Sequence, residues 1–144
     1  ITGGALVDEN RQTQREGIFA CGNVLHVHDL VDYVSDEAEI AGKAAAEYVK
    51  GELVSGGTVK TKAGNGVRYV LPQRINRNSG GKVYLFLRVT EPFGKVKYTV
   101  SCGGRVISSA VRPKAVPGEM EKLPLEMKNL GSDDEITVSL EETE

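Results

Sequence analysis

The hydrophobic period of the chain changes once, near residue 57, and that change limits the folds open to it. Beyond that point apolar residues recur at every second position. Val83, Leu85, Leu87 and Val89 form one such set, Val96, Tyr98, Val100 and Cys102 a second, and Ile136, Val138 and Leu140 a third. A period of two places alternate side chains on opposite faces of a strand, so each run reads as a strand with a buried face, and the first, alternating with Tyr84, Phe86 and Arg88, can bury both. Before residue 57 the pattern is short β-like runs around one helix. The chain therefore reads as an α+β arrangement: residues 1–57 as a partial α/β segment with one main helix, residues 58–144 as an all-β unit.

Turn chemistry divides the second part. Asn65-Gly66 between Thr58 and Leu71 predicts a hairpin with a two-residue turn, Pro72 to Gly81 reads as a loop, and Gly103-Gly104 reverses the chain into Arg105 to Val111. A further strand is expected near Met120 to Leu125. Pro113, Pro117 and Pro124 favour edges or strand breaks over central positions. About six or seven short strands at this spacing suit a small immunoglobulin-like or fibronectin-like sandwich. GELVSGGTVK reads as the junction.

In the first part, Gly17 to Cys21 holds Ile18, Phe19 and Ala20 in one apolar run, the pattern of a strand covered on both faces in a parallel sheet. A helix is expected over Asp36 to Lys50. Ser35 or Asp36 would cap it, Glu39 has capping-box spacing from Asp36, and Glu37 suits the positive helix end. Ala38, Ala41, Ala45, Tyr48 and Val49 would form its apolar stripe, and Gly51 its stop. The small residues make this a thin helix that a sheet or ligand can approach closely, although Gly42 costs about 1 kcal/mol of intrinsic helix stability.

With 40% hydrophobic and 26% charged residues in 144, the chain has the composition of a folded domain or two small ones. A net charge of -2 supplies no cationic field for nucleic acid or acidic lipid, and Arg68, Arg74, Arg77, Arg88 and Arg105 form no single stripe. No apolar run approaches the roughly 20 residues that span a bilayer, and no basic-then-apolar leader opens the chain. Partners of either kind are not expected, and a cytoplasmic location is. Two distant thiols, Cys21 and Cys102, argue against a disulfide framework. The ITGG opening, without an initiating methionine, reads like the interior of a larger protein.

Chemistry-bearing residues concentrate in GIFACGNVLHVHDLVD, residues 17–32. Cys21, His26 and His28, with Asp29 or Asp32, have the donor types of a zinc site, but the spacing is weak and an ordinary turn is the preferred reading. A His28-Asp29 general-base pair is disfavoured because adjacent side chains need not face each other. No serine nucleophile elbow, P-loop or GxGxxG is present, so neither a self-contained hydrolase nor a complete nucleotide-binding fold is expected. Cys102 reads as a packed side chain beside a turn. No catalytic residue and no metal ligand is assigned.

LVDENRQTQREGIFACGN followed by HVHDLVDYVSDEAEIAGKAAAEYV, roughly residues 3 to 50, resembles the last FAD-binding segment of pyridine-nucleotide-disulfide-type flavin oxidoreductases. In that family a strand ends in a Gly-Asp turn, and a loop then leads to a helix along the flavin. The resemblance implies that Gly22 lets the main chain approach FAD and that Asn23 stands where the family places an aspartate near the ribityl-pyrophosphate region. It implies that Asp32, Tyr33 and Val34 lie on the approach to the helix, where backbone amides meet the pyrimidine edge of the ring. The family's amino-terminal ADP-binding fold, nicotinamide-binding domain and redox cysteine pair are absent from this sequence, and Cys21 is no catalytic cysteine.

The implied protein is a flavin oxidoreductase whose carboxy-terminal piece is this chain: residues 1–57 finish the FAD-binding domain and residues 58–144 are an appended sandwich. FAD would reside in the full-length parent, NAD(P)H is a candidate electron donor, and the fragment alone would hold no cofactor tightly and turn nothing over. Its partners would be the upstream FAD- and nucleotide-binding regions of the same parent, with the sandwich free to dock a protein or a second copy. The rival reading is a non-catalytic binding or structural module whose amino-terminal helix simply packs on the sandwich.

Overall fold

The computed structural model describes residues 2–144. Eight strands follow one main helix: α1 (Val31–Val49), then β1 (Thr58–Ala63), β2 (Val67–Leu71), β3 (Arg74–Asn76), β4 (Lys82–Val89), β5 (Val96–Cys102), β6 (Arg105–Arg112), β7 (Glu121–Glu126) and β8 (Glu135–Glu142). They form a five-stranded sheet in the order β3-β1-β8-β5-β6 and a three-stranded sheet in the order β2-β4-β7. Strands β1 and β8 pair parallel, and the other pairs run antiparallel.

The alternating residues do what their period demands. Leu85, Leu87, Tyr98, Leu125, Ile136 and Val138 lose essentially all contact with solvent, and the main hydrophobic cluster is drawn entirely from residues 59–140. Each such aliphatic or aromatic side chain contributes roughly 1.5–3 kcal/mol through burial. The β5–β6 hairpin forms as expected across Gly103 and Gly104, both at positive φ. Pro124 sits in β7, an edge strand of the smaller sheet, where its missing N–H costs no ladder bond on the outer side.

Two strand expectations fail for an identifiable reason. Thr58 to Leu71 is no hairpin, since β1 and β2 belong to opposite sheets. The corner at residues 64–66 is captured by β8: Gly64 N donates to Val138 O at 2.7 Å, Leu140 N to Asn65 O at 2.9 Å, and Asn65 Nδ2 to Leu140 O at 2.9 Å. Gly66 alone takes positive φ there (72°), whereas the expected two-residue turn needs it at both central residues. A Cβ on Gly66 would lie 2.6 Å from Leu140 Cγ, so the corner is pressed against β8. Residues 72–81 are likewise not all loop, because Arg74–Asn76 pairs with β1 as β3.

The first segment departs further. Residues 17–21 form no sheet strand: Phe19 makes one isolated bridge to Gln12, and Ile18 is 56% exposed. A strand covered on both faces needs neighbours on both sides, and the described residues supply one bridge. Helix α1 begins five residues before the expected Asp36, at Val31 after an extended Leu30, with no side-chain cap bond. Ser35 and Asp36 therefore lie inside the helix and cap nothing. The buried face is Glu37, Ala41 and Ala44; Ala38 and Val49 face solvent, and Tyr48 packs edge-on to Phe19. Gly51 ends the helix at positive φ (73°), as expected.

This segment is stitched to the sandwich mainly by polar contacts. Val7 exchanges bonds with Gln73, Asn76 Nδ2 donates to Asp8 Oδ2 at 3.0 Å, and Arg88 donates to Val27 O at 2.8 Å. Val7, Leu25 and Leu71 add a small second core between the two parts. No helix among the described residues is long and apolar enough to cross a membrane.

Candidate functional site

The chemistry gathers where the Gly22 turn, the loop to residue 30 and the second turn of α1 meet the outer face of the three-stranded sheet. Gly22 opens a short 3-10 turn (Gly22–Val24) at φ 78°, and Leu25 N closes it on Gly22 O at 3.0 Å. A Cβ on Gly22 would meet only Val34 Cγ1 at 3.5 Å, so the backbone angle, not crowding, calls for glycine. His26 and His28 follow on the loop, their rings edge-to-face with centroids 4.5 Å apart.

Glu37 is the hub. Its side chain is 3% exposed and faces the loop because position 37 lies on the same helix stripe as buried Ala41 and Ala44. Arg11 Nε donates to Oε1 at 2.9 Å, and Gly22 N donates to Oε2 at 2.7 Å. His28 Nε2 lies 2.8 Å from Oε2 and His26 Nε2 3.5 Å from Oε1, the latter outside hydrogen-bond geometry. Burial alone would raise the Glu37 pKa; the surrounding His26, Arg11, His28 and Gly22 groups outweigh it and lower it from 4.5 to about 2. Glu37 is thus a carboxylate throughout the neutral range.

Arg11 reaches this hub from a tight turn and is the only described non-glycine residue at positive φ (63°). Its guanidinium also lies 5.7 Å from the Phe86 ring centroid. From the sandwich side, Tyr69 OH is 3.1 Å from His26 Nδ1. Asp29 anchors the loop's far end by accepting from Arg88 at 2.6 Å and from Met120 N at 2.6 Å. Burial pushes the Asp29 carboxyl up, but the Met120 amide and Arg88 hold it below its ordinary value.

The residues singled out from sequence are only partly brought together. Gly22 is buried at the hub, while Asn23 is exposed and accepts from His28 N through Oδ1 at 3.2 Å, its amide nitrogen having no partner among the described residues. Asp32 is exposed in the first turn of α1, Val34 is half-buried beside Gly22, and Tyr33 lines an adjoining cleft. Cys21 stays outside the histidine cluster, so the Cys21-His26-His28 zinc set does not form; Glu37 is the third group instead. Asp29 faces Arg88 rather than His28, which removes the adjacent general-base pair.

That cleft, about 450 Å³, runs between α1 and the three-stranded sheet and reaches the hub itself, with Arg11 and Glu37 in its lining. Tyr33, Ile40 and Ala44 line one wall, Tyr84 and Phe86 the other, with Lys122 Nζ 4.3 Å above the Tyr84 ring. Sequence reasoning missed Arg11 and Glu37 as site residues. Glu37 was detectable in principle, as a charge on the stripe that carries Ala41 and Ala44. No local pattern marks Arg11, which meets the site only through tertiary folding.

No protein-family model, curated protein or solved structure matches the chain.

Proposed function

We propose that this chain is the carboxy-terminal part of a cytoplasmic FAD-dependent oxidoreductase, in which residues 1–57 complete the flavin-binding domain and residues 58–144 form an appended immunoglobulin-like or fibronectin-like sandwich. The observation that carries the reading is the open start of α1 beside the Gly22-Asn23 turn. Leu30 brings no side-chain cap, and Val24, Val27, Leu30 and Val31 around it are exposed, Val31 by 78%. Uncapped first-turn amides and bare apolar side chains are what a helix end has when further polypeptide and an electron-rich ring cover it. The two unpaired thiols agree with a reducing compartment.

The residues present suit a flavin at this edge. Asn23, exposed beside buried Gly22, has an amide nitrogen with no partner among the described residues, and the main chain at Asp32, Tyr33 and Val34 lies at the positive end of α1. Bound flavin supplies the hydride and electron chemistry. The chain's own residues orient the turn, through the Glu37 bond to Gly22 N, and offer amides where negative charge accumulates on reduction. Asn23 preserves polarity without the charge of an aspartate. NAD(P)H as donor would bind polypeptide outside this chain.

The test is the full-length polypeptide, purified with FAD supplied. Oxidised-flavin absorbance that NAD(P)H bleaches is expected, with neither signal in residues 1–144 alone. Full-length protein that retains no flavin would end this reading and leave the non-catalytic module ahead.

A further inference from the structure

We propose that His26, His28 and Glu37 bind a divalent transition-metal ion of the zinc class, leaving a fourth position for solvent or a small anion. The proposal does not depend on the flavin reading. One donor atom from each residue lies within 4.8 Å of the others, on side chains that are 1–3% exposed. The 3.5 Å gap from His26 Nε2 to Glu37 Oε1 matches neighbouring donors of a tetrahedral set with bonds of roughly 2.0–2.2 Å, whereas His28 Nε2, 2.8 Å from Oε2, makes a hydrogen bond that the ion would replace. Two imidazoles and one glutamate are a donor set of open zinc sites.

A second observation points the same way. His26 Nε2 is buried without a hydrogen-bond partner and faces the Glu37 carboxylate. With its ring proton on Nδ1, shared with Tyr69 OH at 3.1 Å, His26 turns the Nε2 lone pair towards Glu37, and that is the tautomer a bound ion selects. In that tautomer a cation lying between Nε2 and the carboxylate is attracted by both. For His28 the metal-binding tautomer carries its proton on Nδ1, which has no acceptor among the described residues; that cost falls on the ion's affinity.

Arg11 decides the metal class. Its guanidinium already offsets the charge of Glu37, and Gly22 N–H occupies the second oxygen. Magnesium and calcium bind largely through carboxylate charge and gain little here, whereas an ion that seeks imidazole nitrogen keeps both histidines. With Arg11 and the ion together the loaded site is over-positive, which favours hydroxide or chloride in the fourth position.

The experiment is metal loading of the chain during refolding, first with Zn²⁺ and then with Co²⁺ as a spectroscopic probe, followed by desalting. Stoichiometric zinc, a visible cobalt d–d spectrum and no displacement by excess Mg²⁺ are expected. His26→Gln and His28→Gln should lose the bound metal with circular dichroism unchanged, and Tyr69→Phe should weaken binding about 10-fold or more. Wild-type chain that takes up neither ion overturns the proposal, whatever the variants do. Metal retained equally by both glutamine variants overturns it too, since the ion would then sit elsewhere.

Discussion

Tyr98→Phe is expected to stabilise the protein. Tyr98 lies on β5 opposite Ala110 of β6 and Leu140 of β8, fully buried in the main core. Its hydroxyl has no hydrogen-bond partner among the described residues. Burial, reinforced by the nearby Glu121 and opposed by Arg112, raises the phenol above its ordinary pKa, so the group is neutral and uncompensated. A buried hydroxyl without a partner costs about 1–3 kcal/mol, and deleting one oxygen forfeits dispersion contacts worth less than about 1 kcal/mol. The net expectation is a gain of roughly 1 kcal/mol, or about 3–5 °C in Tm for a chain of this size. Urea unfolding followed by circular dichroism should move the midpoint upward with an unchanged slope, because the surface exposed on unfolding stays the same. A loss of about 1 kcal/mol or more would refute the reasoning, since it would mean that the hydroxyl is satisfied in solution.

Asn65→Ala removes the side-chain bond to Leu140 O that holds the sheet-to-sheet corner, and should cost about 1 kcal/mol in the same urea assay. Asp29→Ala removes both the Arg88 ion pair and the Met120 amide bond; limited proteolysis should then cut within residues 23–30 faster than in wild type, at a cost of about 1–3 kcal/mol. Leu85→Ala, in the centre of β4, should cost about 2–5 kcal/mol and lower the urea midpoint accordingly. If the full-length parent is the proposed flavoprotein, Asn23→Asp should shift its flavin affinity or reduction potential while leaving the sandwich folded. Identical flavin behaviour would remove Asn23 from the site.

Glu37 ties these parts together. Its carboxylate holds Gly22, Arg11 and His28 at once, so the turn, the loop and α1 cannot shift independently. The loop's other end is held by Arg88 of β4. The sandwich thereby acts as a platform for the first segment, while the side of α1 and the loop that carries Val24, Val27 and Val31 is left bare.

Local pattern determined the elements of the β region. Val83 to Val89, Val96 to Cys102 and Ile136 to Leu140 become strands because a period of two admits one buried face and nothing else, and Gly103-Gly104 turns the chain because glycine tolerates positive φ. Which strands pair was decided in three dimensions. Asn65-Gly66 has the sequence of a hairpin turn, yet β8, some 75 residues away in the chain, claims the backbone and side chain of Asn65 and sends β1 and β2 into different sheets. The start of α1 was likewise not set by local pattern: Ser35 and Asp36 have capping chemistry, but the helix begins at Val31 without a side-chain cap, and Glu37 meets Arg11 from its second turn. The expected stripe of Ala38, Ala41, Ala45, Tyr48 and Val49 shares only Ala41 with the buried face of Glu37, Ala41 and Ala44, because the partners that make a buried carboxylate tolerable come from residues 11, 22, 26 and 28, and only folding brings them within reach.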